Sequence, residues 1–119
     1  MSQMRSEVIS CPDCGHRQEF TVWDSVSSDD RRGVAALTSG SAYIFRCGKC
    51  GYTTTVAYPL LYSDIDHCRF IWLIPPDMKG QTKEILSSTA LPGIRQMAVY
   101  SPAELAEAMR SVDLSAEFI

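Results

Sequence analysis

The sequence predicts an α+β fold: an antiparallel β-meander with a four-cysteine zinc ribbon, a short internal helix and a C-terminal helix. Three observations predict it. Two Cys-x-x-Cys knuckles, Cys11/Cys14 and Cys47/Cys50, are flanked by runs rich in β-branched and aromatic residues. Between them, "SSDDRRGVAALTSG" carries helix start and stop signals. After them, "SPAELAEAMRSVDL" opens on a capping box.

The elements follow in order. "SEVIS" and "RQEFTVWDSV" flank the first knuckle. In the second run Glu19 and Thr21 alternate with Phe20 and Val22, a period of two that reads as a hairpin closed by the knuckle. Ser28 is expected to cap a short helix, with Asp29 and Asp30 in its first turn, where the helix dipole favours them. Gly40 is the expected stop, and Gly33 weakens the helix. "SAYIFRC" leads into the second knuckle and "YTTTVAYPLLY" leads out, giving a second hairpin. Pro59 in the outgoing run demands an edge, a bulge or a break. "SDIDH" is a turn and "CRFIWLIP" the next strand, ended by "PPDMKG".

"QTKEILSS" fits either a short helix or an irregular connection, and "IRQMAVY" reads as a last strand. In the final helix Ser101 is the N-cap, Pro102 the first helical residue and Glu104 the third, with Tyr100 and Leu105 placed for a hydrophobic staple. Leu105, Met109 and Val112 form one apolar stripe. The expected organisation is one domain, 1–119, with the ribbon formed by 8–26 and 41–62 and the C-terminal helix at about 102–112.

A chain of 119 residues buries roughly two-thirds of its unfolded surface, so a core can form that does not depend wholly on metal. The formal net charge is −3. That argues against a generic grip on nucleic acid, which needs surplus Lys and Arg. "MSQMRSEVIS" lacks the apolar stretch of a signal peptide, and the apolar run around "FIWLIPP" is too short to span a bilayer. The expected location is therefore the cytoplasm, where cysteines are reduced and serve as ligands rather than disulfides.

A Cys-x-x-Cys with an internal proline also suits a thiol–disulfide enzyme. Such enzymes place the first cysteine at a helix N-terminus. Here Gly15 and the strand-like "RQEFTVW" follow at once. One pair would suffice for redox chemistry, yet there are two. Structural Zn²⁺ wants four soft ligands in a tetrahedron, and two tight turns can present them. Gly15 and Gly51 follow the two pairs and let each turn curl so that backbone N–H groups approach the sulfurs. The expected site is one Zn²⁺ per chain on Cys11, Cys14, Cys47 and Cys50, closed to water and substrate, with an iron–sulfur centre as the lesser alternative.

The segments "CPDCG", "FTVWDSV", "FRCGKCGY", "YPLLYSD" and "WLIPPD", and more weakly "VYSPAELAEAM", run in an order that resembles the CpXC domain family of bacteria and archaea, named for paired Cys-Pro-x-Cys motifs. The resemblance covers nearly the whole chain. Two departures stand out: the second motif is Cys47-Gly48-Lys49-Cys50, without proline, and Tyr62-Ser63-Asp64 stands where the family pattern has Tyr-His-Asp. The resemblance implies a domain of unknown function with the four cysteines as metal ligands, and it brings no known activity to carry over.

Other chemistry-bearing residues have plainer readings. His16 follows the first knuckle, but four cysteines already fill a zinc shell. Asp64, Asp66, His67 and Cys68 suit a polar turn better than a second metal site or an acid–base group. Cys68 itself reads as a small packed residue or an ordinary strand thiol. The aromatics Trp23, Tyr43, Phe45, Tyr58, Tyr62, Phe70 and Trp72 read as core, with the two tryptophans the best candidates for an interface.

The functional expectation is a non-enzymatic module with structural zinc and no evident small-molecule substrate, acting through protein contact or as a homo-oligomer. Its contact surface is expected at a sheet face, a free sheet edge near Pro59, or the C-terminal helix. The alternatives are a nucleic-acid-binding ribbon using Arg17, Arg46, Lys49 and Arg69, and a thiol redox or metal-dependent enzyme.

Overall fold

The computed structural model describes residues 2–117, with side chains to Arg110. Strands β1 (Gln3–Ser10) and β2 (Arg17–Ser27) pair antiparallel around the first knuckle. Helix α1 spans Arg31–Ser39. Strands β3 (Ile44–Arg46) and β4 (Thr53–Thr55) pair around the second knuckle as a separate two-stranded sheet. Strands β5 (Leu60–Asp64) and β6 (Arg69–Leu73), helix α2 (Thr82–Ser88), strand β7 (Arg95–Val99) and helix α3 (Pro102–Glu117) complete the chain.

The large sheet has the order β1-β2-β5-β6-β7. The expected antiparallel meander holds only within the hairpins. Strand β2 pairs parallel with β5, and β6 pairs parallel with β7. The reason is what lies between the partners. α1 and the second hairpin separate β2 from β5, and α2 separates β6 from β7. Such crossovers return the chain in the same direction, whereas a tight turn reverses it. Pro59 breaks the chain between β4 and β5. Strand β5 is interior, so the expected free edge near Pro59 does not exist in this sheet.

The cap of α1 is Asp30, not Ser28. Its Oδ1 accepts from the N–H groups of Arg32 and Gly33 at 3.1 and 3.2 Å. A carboxylate at the N-cap satisfies two orphan donors and faces the positive end of the dipole, so it displaces the hydroxyl two residues earlier. Gly40 stops the helix with φ 85°. Gly33 is a packing residue: a Cβ there would sit 2.7 Å from Val26 Cγ1 and 3.3 Å from Trp23 Cζ3. The helix comes this close to β2 because the glycine has no side chain, and that contact outweighs its helix cost. Leu37 on the same face is fully buried.

"QTKEILSS" resolves as helix, α2. At α3 the Glu104 N–H donates to Ser101 Oγ at 3.2 Å, as the capping box requires. The helix runs to Glu117, five residues beyond the expected end. Leu105 and Ala108 are buried and Met109 packs on the core, while the expected contact of Val112 lies outside the described side chains.

Aromatic rings join the two hairpins. Phe20 on β2 lies 6.4 Å from Phe45 on β3 and 6.3 Å edge-on to Tyr58, and Tyr43 lies 5.9 Å from Tyr58. Such pairs add to the burial of their large surfaces. The tryptophans expected at an interface are half-buried against their own chain. Trp23 packs on the core, and Trp72 Nε1–H donates to Thr89 Oγ1 at 2.9 Å.

Candidate metal centre

Each knuckle is built the same way from the main chain. In the first, Cys11 N–H donates to His16 O at 2.8 Å and Gly15 N–H to Cys11 O at 2.9 Å. In the second, Cys47 N–H donates to Tyr52 O at 2.8 Å and Gly51 N–H to Cys47 O at 3.0 Å. Gly15 and Gly51 have φ of 77° and 78°, a region that side chains other than glycine's rarely adopt. Amides then turn toward sulfur: Asp13 N–H points at Cys11 Sγ at 3.4 Å, and Lys49 and Cys50 N–H at Cys47 Sγ at 3.4 and 3.5 Å.

The two knuckles face each other. Cys11 Sγ lies 3.7 Å from Cys50 Sγ, and Cys14 Sγ lies 3.6 Å from Cys47 Sγ. All four sulfurs fall within 4.8 Å of one another. Metal–sulfur arms of about 2.3 Å give tetrahedral edges of about 3.8 Å, so the spacing fits one ion on four thiolates. Both of these close approaches cross from one knuckle to the other, which suits a shared ion. Cys11 and Cys47 are buried and Cys14 and Cys50 exposed, so the cluster sits at the surface with its back to the core.

The four thiols sit in unequal electrostatic environments. The Cys50 amide, then the Lys49 amide and the Cys14 thiol, outweigh burial and draw the Cys47 thiol down to about 6. At Cys50 the Tyr52 amide pulls down, but burial and the thiols of Cys14, Cys11 and Cys47 overcome it and push the group up to about 12. At Cys14 the amide of His16 pulls down, but burial and the thiols of Cys47 and Cys11 prevail and raise it. Sulfurs this crowded cannot all carry charge unless a cation sits among them.

One contributor escapes sequence reasoning. Gln18 on β2 reaches the other hairpin, its Nε2 donating to Arg46 O at 2.7 Å and its Oε1 accepting from Gly48 N–H at 2.8 Å. A glutamine between Arg17 and Glu19 carries no mark in the sequence that sets it apart from a solvated strand residue. His16 contributes its carbonyl to the first knuckle, and its side chain lies outside the cysteine cluster.

The residues around His67 do not gather into a second metal site. Among the described residues the four cysteines form the one cluster of three or more metal-binding side chains. Asp64 is buried and accepts from Arg69 Nε at 3.3 Å, with His67 Nδ1 at 3.0 Å from its other oxygen. Arg69 Nη2 donates to Ala108 O at 2.7 Å, tying β6 to α3. Arg69 is thus buried in an ion pair and does not belong to a basic face with Arg17, Arg46 and Lys49. Cys68 is exposed with φ 50°, closing the turn rather than packing in a strand.

Among the described residues no helix is long and apolar enough to cross a membrane. No curated protein and no solved structure matches the chain. Among known families, the one described as CpXC protein matches residues 9–116, a span that contains both knuckles and all the strands from β2 onward, and the chain therefore belongs to the CpXC family.

Proposed function

We propose that this chain is a non-enzymatic zinc-ribbon module that works through contact with other protein chains. Cys11, Cys14, Cys47 and Cys50 would hold one structural Zn²⁺. The carrying observation is the sulfur cluster itself, within 4.8 Å and drawn equally from two hairpins. Four thiolates complete a tetrahedron and leave no position for water or substrate, which suits an architectural ion. Amides aimed at Cys11 and Cys47 stabilise thiolate charge, as structural sites require. The net charge of −3 and the withdrawal of Arg69 into a buried pair both weigh against the nucleic-acid alternative.

Protein purified from a reducing cytosol without added metal is expected to carry one equivalent of zinc and no iron by elemental analysis. Four of the five thiols should resist a thiol reagent until a strong chelator is added. Zinc well below one equivalent would refute the metal assignment. Affinity capture from native cells, read by mass spectrometry, tests the contact role. The expected result is a protein recovered by intact chain and lost with Cys47→Ser, and capture of nucleic acid instead would overturn it.

A further inference from the structure

Strand β1 ends the five-stranded sheet, and among the described residues no element covers its outer edge. Met4 and Val8 stand 58% and 56% exposed on one face, and Arg5 and Glu7 are half-exposed on the other. We propose that this edge pairs with a second copy of itself, antiparallel, about a twofold axis at Ser6. The proposal rests on the protein-contact reading above and deepens it.

The ladder fixes which backbone groups are free. Cys11 N–H bonds His16 O, and the β1–β2 register continues from that pair without shift as far as Met4. In an antiparallel ladder hydrogen-bonded pairs alternate. Residues 9, 7 and 5 therefore bond inward to β2, while the N–H and C=O groups of Met4, Ser6 and Val8 point outward. A dyad at Ser6 sets Ser6 against the partner's Ser6 and Met4 against the partner's Val8, all with outward-facing groups. Every free backbone donor and acceptor of that stretch finds its complement.

The side chains agree with the same register. Arg5 falls opposite the partner's Glu7, and Glu7 opposite the partner's Arg5, in non-hydrogen-bonded pairs where side chains approach most closely. On the other face the exposed Met4 and Val8 cover each other. Shifting the dyad by one residue puts Arg5 on the partner's Arg5 or Glu7 on the partner's Glu7, and like charges directly opposite repel. Charges on an edge strand usually deter pairing. Here they forbid the neighbouring registers and favour one. Strand β7 at the opposite edge carries no such palindrome in Arg95–Val99. Arg5 already bonds Asp24 through Nε at 2.9 Å and pairs with its own Glu7, which holds the guanidinium on the correct face.

The test is sedimentation of the zinc-loaded full chain over a concentration series. The wild type is expected to form dimers. Glu7→Arg and Arg5→Glu should each weaken self-association by about tenfold or more, since each places like charges opposite at two symmetric positions. Mixed in equal amounts, the two variants should form a heterodimer, because each then supplies the charge the other lacks. Ser6→Pro, which removes an outward N–H and leaves the β2 ladder intact, should abolish pairing. Zinc content and melting temperature check that each variant is folded. A wild type that stays monomeric throughout, a dimer that survives Ser6→Pro, or a mixture that yields no heterodimer would each overturn the proposal. A strict monomer leaves the broader protein-contact reading to the capture experiment, so the two can fail separately.

Discussion

Gln18 and Gly48 join the two hairpins outside the cysteine cluster: the N–H of Gly48 donates to the side-chain oxygen of Gln18 at 2.8 Å, thirty positions apart in the chain. The other end of the same amide donates to Arg46 O at 2.7 Å. One side chain thus fixes the entry to the second knuckle against the strand leaving the first. Partners outside the ligand shell typically tune metal affinity by about 10- to 100-fold. Because this contact is exposed, Gln18→Ala should weaken zinc binding by about tenfold, the lower end of that range. Gln18→Glu, which keeps the acceptor but cannot donate to Arg46, should weaken it too. Competition with a chromophoric chelator measures both, and unchanged affinity in Gln18→Ala would show the clamp to be incidental.

Metal loading should depend on pH with a definite sign. Main-chain amides draw the Cys47 thiol down to about 6, whereas burial and the neighbouring thiols push Cys50 up to about 12 and also raise Cys14. An incoming ion therefore meets one ready thiolate and must displace protons from the raised groups. Affinity rises with pH, and it falls most steeply as pH drops through 6, where Cys47 also takes a proton. Titration calorimetry in buffers of different ionisation heats should show proton release at pH 7. No release would mean the thiols are already ionised.

Cys47→Ser should abolish tight zinc binding and lower stability by several kcal/mol, since structural zinc contributes on the order of 10 kcal/mol in small peptides. Part of the fold is expected to persist. The rings of Phe20, Phe45, Tyr43 and Tyr58 bridge the hairpins without the ion. The strands β5, β6 and β7 do not touch the knuckles in register. Circular dichroism should therefore retain strand signal at a reduced melting temperature. An unchanged melting temperature would show that the metal does not support the fold.

The sequence made the local features legible and the long-range ones less so. Cys-x-x-Cys spacing with Gly15 and Gly51 defines a knuckle within six residues, and the Ser101–Pro102–Glu104 cap defines the start of α3, because both arise from contacts along a few adjacent positions. The pairing of β2 with β5 depends instead on how α1 and the second hairpin fold back, which no local pattern encodes. Ser28 and Asp30 both suit an N-cap in the sequence, and Asp30 takes the position because its carboxylate accepts from the two N–H groups that open α1. Arg69 read as a surface cation because its partners, Asp64 and the Ala108 carbonyl, come from different elements. Gln18 was invisible for the same reason.

That buried pair gives a further prediction. Asp64 and Arg69 are 3% and 9% exposed, and Arg69 also reaches α3. Asp64→Ala leaves a buried guanidinium without its counter-charge, and breaking such a pair costs about 3–5 kcal/mol. Chemical denaturation should show this loss with zinc still bound, which separates it from damage to the ribbon. A change under about 1 kcal/mol would mean that water reaches Arg69 and screens it.

The two buried tyrosines of the aromatic cluster should respond oppositely to loss of their hydroxyls. Tyr58 donates to Ala42 O at 2.7 Å, whereas Tyr43, 2% exposed, has no hydrogen-bond partner for its hydroxyl among the described residues. Tyr58→Phe strands the Ala42 carbonyl and should cost about 1 kcal/mol. Tyr43→Phe removes a polar group that is desolvated without compensation, so it should be neutral or stabilising by up to about 1 kcal/mol. Burial raises both phenols above the ordinary tyrosine value of 10.0. A group raised on folding stabilises below its unfolded value and loses that contribution as pH climbs past it. Wild-type stability should therefore fall above pH 10, and it should fall less in Tyr43→Phe. Denaturant melts of both variants at pH 8 and pH 10.5 measure this, and equal losses from the two substitutions at pH 8 would show that Tyr43 has a partner after all.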